Sequence, residues 1–168
     1  MSEPSTHALP IGDLPLADEV RQLLARAYQQ AQELGHWHVC AEHIVLALAA
    51  AADDTALLGR LGVDRDRVRE ELDATVLRGG GGPPPPPPPE WQQPINVYTE
   101  RTRMAFFLAA QSARGLGHGH VRMEHLLLGM LRERGSAGAQ ALMRCGLTEE
   151  RALALARTSG GDGQAAPA

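Results

Sequence analysis

Two short stretches carry the side chains best suited to chemistry. His36-Trp-His-Val-Cys-Ala-Glu-His43 and His118-Gly-His-Val-Arg-Met-Glu-His125 share the pattern H-x-H-V-x-x-E-H. Three histidines and a carboxylate in one short segment could hold a metal ion. A zinc site borne on a helix, however, takes two ligands from one face, four residues apart. Four residues after His43 stands Ala47, and four after His125 stands Gly129. The H-x-H pairs could reach a metal from the loop, but no further acid or cysteine at ligand spacing is shared by both copies. Cys40 has Arg122 as its counterpart, and arginine is no ligand. The same mismatch counts against a Cys40–histidine nucleophile pair, which would also lack a Gly-rich oxyanion turn. The expectation is therefore no metal and no cofactor. A metal-dependent hydrolase built on the histidine loops is the alternative that these gaps weigh against.

A plainer role for the same residues is to start a helix. Glu42 and Glu124 would lie in the first turn of an apolar helix, where the positive dipole end and free N–H groups favour a carboxylate. His43 and His125 would sit beside them, satisfied by loop carbonyls.

The elements that must position these residues also occur twice. At an offset of 82 residues Leu16 aligns with Tyr98, Leu24 with Phe106, Ala27 with Ala109, Ala31 with Ala113 and Leu34 with Leu116. Beyond the histidine segment the offset becomes 84, with Leu58-Gly-Arg-Leu-Gly-Val63 against Leu142-Met-Arg-Cys-Gly-Leu147. A two-residue insertion in the turn 132–136 accounts for the change. Each unit reads as four helices: 17–34, 41–52, 54–61 and 64–77, then 99–116, 123–134, 136–145 and 148–157. The first has the apolar spacing of a one-sided helix in Leu16, Val20, Leu23, Leu24, Ala27, Ala31 and Leu34. Its second copy has Thr99 as an N-cap, and Gly35 and Gly117 stand where a helix C-cap wants glycine. A unit this small buries a marginal core alone, so the two units are expected to pack face to face. The fold class is all-α: two four-helix repeats forming one pseudo-twofold, eight-helix domain.

The segments expected are a flexible N-terminus over 1–15, repeat 1 over 16–78, a linker over 79–94, repeat 2 over 95–158 and a disordered tail over 159–168. The linker opens with four glycines, Gly79–Gly82, followed by seven prolines, Pro83–Pro89. The prolines would form a rod of roughly 22 Å at about 3.1 Å per residue, able to meet an SH3-like partner.

The composition excludes several classes. All 16 basic residues are arginine, so there is no P-loop lysine for ATP and no Schiff-base nucleophile. With a net charge of −4 and no basic run, nucleic acid is not an expected partner. No basic-then-apolar leader opens the chain, and the longest purely apolar run, Ile44–Ala52, is too short for a bilayer. No membrane contact is expected, and the location expected is the cytoplasm. Cys40 and Cys145 lie at non-equivalent places, so no disulfide framework is implied.

Taken together, Leu34-Gly-His-Trp-His-Val-Cys-Ala-Glu-His-Ile-Val-Leu-Ala-Leu48 and Leu116-Gly-His-Gly-His-Val-Arg-Met-Glu-His-Leu-Leu-Leu-Gly-Met130 resemble the Clp N-terminal repeat domain. Tyr98-Thr-Glu-Arg-Thr-Arg103 is similar to the aromatic-Thr-x-Arg start of its second repeat. The resemblance implies a non-enzymatic, all-α pseudo-dimer that recruits degrons or adaptors to a Clp ATPase. In members that read phosphoarginine, the motif glutamate takes the guanidinium and the threonine opening the first helix helps hold the phosphate. Carried over, these are Glu42 and Glu124, with Thr99 in the second repeat and Ala17 where the first would have its threonine. Cys40-Ala41 and Arg122-Met123 replace the small Gly-Thr pair common in the family; Arg122 could add a phosphate contact and Met123 could crowd the entrance. The resemblance thus favours the second pocket, Glu124 with Thr99. With no Walker motif in the chain, it points to the free-standing Clp N-domain proteins, which lack the motor. Partners implied are Clp substrates, adaptors or the Clp complex. A decoy for peptides or small molecules aimed at that domain would use the apolar surface near Tyr98.

Overall fold

A computed structural model of the chain describes residues 16–36, 38–50, 57–76 and 97–159. Among these there are eight helices: α1 (Asp18–Glu33), α2 (Ala41–Ala50), α3 (Leu57–Arg60), α4 (Arg65–Val76), α5 (Glu100–Gly115), α6 (Met123–Glu133), α7 (Ala137–Arg144) and α8 (Glu149–Ser159). The fold is all-α, with α1–α4 and α5–α8 as the two repeats. The linker expected over 79–94 and the N-terminal segment 1–15 lie outside the described residues, as does the start of the helix expected over 54–61. Ser159, expected to open the tail, still belongs to α8, and residues 160–168 lie outside the described residues.

Local chemistry explains why the helices begin and end where they do. The Thr99 hydroxyl accepts the amide of Thr102 at 3.3 Å and caps α5, as its residue type predicts. Ala17 offers α1 no such bond; Asp18 and Glu19 in the first turn complement the dipole instead. Both first helices stop in a Schellman turn. Gly35 (φ 72°) and Gly117 (φ 73°) take the left-handed conformation. The next amides, His36 and His118, then donate back to Ala31 and Ala113 at 2.8 and 2.9 Å. The glycines therefore deliver each repeat's first histidine to a fixed place.

One contiguous core runs through both repeats, with Val20, Leu23, Ile44, Leu58 and Leu72 from the first and Phe106, Leu126, Leu128, Leu142 and Leu147 from the second. Leu34, expected on the apolar stripe, instead forms the α1 C-cap and stays 38% exposed. Closest approach is between α5 and α6, where a Cβ on Gly129 would lie 2.0 Å from the Ala105 carbonyl oxygen.

The repeats are joined by exchanging entry strands. Leu16 pairs in parallel with Val121, and Val39 with Tyr98. Since Leu16 aligns with Tyr98 and Val39 with Val121, the two bridges are related by the pseudo-twofold axis. Each repeat's first helix thus starts from the other repeat's histidine loop. The Ala17 amide donates to the Val121 carbonyl at 2.9 Å, and the Thr99 amide to the Val39 carbonyl at 3.2 Å. An ion pair from Arg144 to Glu71 at 3.2 Å adds a surface link between repeats.

Candidate functional site

The second histidine of each motif closes the start of a buried helix. Nδ1 of His43 accepts the Cys40 amide at 3.0 Å, and Nδ1 of His125 accepts the Arg122 amide at 2.9 Å. Each ring is the N3 half of a capping box, a place usually held by Glu or Gln. With Nδ1 accepting, a neutral ring carries its proton on Nε2 and donates it onward. The acceptors are Nδ1 of His36, 2.7 Å away, and Nδ1 of His118, 2.8 Å away. The sequence expectation that loop carbonyls satisfy His43 and His125 is therefore corrected. A carbonyl needs a donor, and each ring's one proton already goes to the neighbouring imidazole.

Burial, and then the adjacent His36, lowers the His43 pKa to about 4. Burial lowers His125 likewise to about 4, with His118 and Arg122 adding to the effect and Glu124 opposing it. Both rings are neutral at physiological pH. No cluster of three or more metal-capable side chains occurs among the described residues. Cys40 sits with Sγ 3.1 Å from His43 Nδ1, but burial and the charge of Glu42 push its thiol up to about 12. It is a protonated packing residue, and a thiolate nucleophile does not form there.

The carboxylates that precede these histidines are in a different state. Glu42 and Glu124 are each the second residue of their helix, α2 and α6. In both, Oε2 is buried and has no hydrogen-bond partner among the described residues. Glu124 as a whole is only 7% exposed. An unpaired buried carboxylate oxygen costs on the order of 1–3 kcal/mol, more than the roughly 0.3–1 kcal/mol that a helix N-terminus returns. The same unmet acceptor thus occurs in both pseudo-twofold copies, and each oxygen could accept a hydrogen bond from a donor outside the chain.

The other sequence-named residues fall out differently. Thr99 stands next to the first repeat's loop, one residue beyond the Val39–Tyr98 bridge, and Ala17 stands next to the second's. Thr99 is thus tied to the loop that leads into Glu42, and Ala17 to the loop that leads into Glu124, so the backbone links cross between repeats. The start of α2 is also covered from the second repeat, since a Cβ on Gly138 would lie 2.8 Å from the Ala41 carbonyl. Arg122 is already committed, its Nη1 donating to the Ser159 carbonyl at 2.6 Å, where it caps the C-terminus of α8. Tyr98 is packed edge-on against Phe106, ring centres 5.1 Å apart, and burial raises its phenol to about 12. Met123 is half-buried at the α6 start and packs on the core. Sequence reasoning missed the His36–His43 and His118–His125 pairs, although the recurring seven-residue spacing was visible.

If the buried carboxylates are kept for a ligand, their neutral isosteres should relieve the free protein. Glu124→Met, which keeps the volume and removes the orphan acceptor, is expected to raise the unliganded stability by about 1 kcal/mol, that cost outweighing the lost dipole interaction. Urea denaturation checks it. A loss of more than about 1 kcal/mol would mean that the carboxylate serves the helix start alone.

The profile of the Clp repeat (R) N-terminal domain matches residues 16–90 and 97–159. The chain is 31% identical over 137 residues to the negative regulator of genetic competence ClpC/MecB of Bacillus subtilis, covering 80% of this chain and 16% of that protein. It is 33% identical over 132 residues to a probable ATP-dependent Clp protease ATP-binding subunit of Chlamydia pneumoniae, covering 74% of this chain and 14% of that protein. Among solved structures, the N-terminal domain of the chaperone ClpD of Arabidopsis thaliana superposes with a TM-score of 0.62 at 19% identity, covering 86% of this chain and 96% of that one. The Hsp104 N-terminal domain of Candida albicans gives 0.63 at 13% identity, covering 89% and 93%. These two likenesses concern the fold. No described helix is long and apolar enough to cross a membrane.

Proposed function

This chain belongs to the Clp repeat (R) N-terminal domain family, and on that premise we propose that it is a non-catalytic recruiting module of the Clp proteolytic system. Its partners would be Clp substrates, adaptors or the Clp assembly itself. Its two sites would each receive the cationic group of a protein client. The observation that carries this reading is the pair of buried, unpartnered Oε2 atoms on Glu42 and Glu124.

A guanidinium matches such an acceptor because it offers planar, paired N–H donors that stay charged at all working pH values. When the guanidinium is phosphorylated, the phosphate needs donors nearby. The starts of α2 and α6 present N–H groups of the right polarity. Phosphoarginine is therefore the degron chemistry we favour. We take Glu42 as the better site, since Thr99 is tied through its amide to Val39 in the loop that leads into Glu42, while Arg122 beside Glu124 is engaged with Ser159. This reverses the preference that the linear alignment suggests. A decoy role, in which the same sites absorb ligands meant for a Clp ATPase, uses identical contacts and differs only in outcome for degradation.

Calorimetric titration of the full chain with free phosphoarginine tests the reading. Binding is expected, with Glu42→Gln losing at least about tenfold in affinity and Glu124→Gln losing less. Absence of heat with phosphoarginine, together with unchanged capture of phosphorylated clients by the double variant, would remove it.

A further inference from the structure

The pseudo-twofold repeat supplies an internal control for what each helix surface is needed for. In α1 the outward face carries Gln22, Ala25 and Arg26, all exposed and two of them polar. The aligned positions of α5 are Met104, Phe107 and Leu108. Met104 is 48% exposed, and Phe107 and Leu108 are only half-buried. Among the described residues, none of the three belongs to the core or packs against it. The fold therefore does not require apolar side chains there, because the sister helix does without them.

The charge around this face is one-sided. Arg103 lies one turn before Phe107 and Arg114 two turns after it, close to the same line along α5. Among the described residues the Arg103 Nε is buried without a partner, and the Arg114 guanidinium makes no ion pair or hydrogen bond. The single carboxylate of α5, Glu100, is at the helix start, one turn from Met104. Arg101 is taken by Glu133 at 3.0 Å.

We propose that the Met104–Phe107–Leu108 face of α5 is a second docking surface, distinct from the Glu42 and Glu124 sites, and that it takes an acidic amphipathic helix. Apolar residues at i, i+3 and i+4 form the stripe that a partner helix's own stripe covers. The two free guanidinium groups bracketing Phe107 select carboxylates at the partner's edges and reject basic segments. A single-stranded nucleic acid fits less well, because Met104 and Leu108 offer no stacking plane for bases. The surface would let the protein hold an adaptor by α5 while its carboxylate sites hold a client.

The test uses the full chain and fluorescence anisotropy with two synthetic helical probes. Both carry leucine at i, i+3, i+4 and i+7; one has glutamate and the other lysine at the flanking positions. The acidic probe is expected to bind about tenfold or more tighter than the basic one. Met104→Gln/Phe107→Ala/Leu108→Gln should cost it about tenfold, and Met104→Gln alone, at the most exposed position, should cost several-fold without touching the fold. Arg103→Glu/Arg114→Glu should invert the preference. Equal binding of the two probes, binding indifferent to Met104→Gln, or equally tight binding of a single-stranded oligonucleotide would overturn the proposal. So would self-association of the chain that disappears in the triple variant, since the face would then belong to a second copy.

Discussion

Gly129→Ala is expected to lower the stability of the free protein by more than about 3 kcal/mol, enough to leave much of it unfolded at physiological temperature. The added Cβ would lie 2.0 Å from the Ala105 carbonyl oxygen and 2.8 Å from the Ala109 amide nitrogen. Both are backbone atoms of α5, so no side-chain rotation relieves the clash; the helix itself must move. The first repeat shows the alternative spacing. Ala47 occupies the aligned place in α2 and is buried to 1%. A methyl group is thus compatible with the repeat at the α1–α2 distance but not at the α5–α6 distance. Moving α5 outward would also pull on Thr99 and Tyr98, which are tied to the first repeat's loop. Urea denaturation followed by far-UV circular dichroism measures the loss. A drop under about 1 kcal/mol would show that α5 relaxes to the spacing of α1 freely and that the bridge between repeats is soft.

Acidification should destabilise the protein well above the range in which carboxylates titrate. His43 and His125 have folded-state pKa values of about 4, against an ordinary value of 6.5. The unfolded chain takes up protons as pH falls through 6.5, while the folded rings stay neutral down to about 4. Stability is therefore complete above the unfolded value and is lost on going down towards the folded one. Between pH 7 and pH 5 each histidine should remove about 2 kcal/mol, so the pair removes roughly 4 kcal/mol from a domain whose total is of the order of 5–15 kcal/mol. The cause is geometric. Each ring has Nδ1 occupied by a backbone donor and Nε2 aimed at a second imidazole, so an extra proton has no acceptor. Melting temperature measured against pH should fall steeply over this window. In His43→Gln/His125→Gln the slope should flatten, whatever the starting stability, and an unchanged slope would place the acid sensitivity elsewhere.

Much of the local structure was legible because it depends on neighbours in sequence. Gly35 and Gly117 announced the ends of α1 and α5, Thr99 announced a start, and the nearly all-apolar runs after His43 and His125 announced buried helices. The all-α, pseudo-twofold character followed from the repeat. Three features were not legible, and each is a contact between residues far apart in the chain. The crossing of Leu16 to Val121 and Val39 to Tyr98 ties Thr99 to the loop that leads into Glu42, which no alignment of repeat on repeat displays. Arg122 reaches the end of α8, 37 residues away, so a cation next to a candidate phosphate site is spent on a helix terminus. Residue type alone does not separate Met104, Phe107 and Leu108 from core residues; the orientation of α5 leaves Met104 exposed and the other two half-buried. The histidines fall between these cases. Their spacing was plain in the sequence, but their bonding depends on the left-handed glycine that swings the first ring over the second.

The central claim is that one oxygen of each of two symmetric carboxylates, Oε2 of Glu42 and of Glu124, is held without a partner for an incoming guanidinium. Amide chemical shifts of the full chain, titrated with phosphoarginine, test it most directly. The account predicts saturable shifts at Ala41 and Glu42 first, then at Met123 and Glu124 as the weaker second copy fills, with arginine alone binding less tightly. Saturable shifts confined to other surfaces, or none at either helix start, would contradict it.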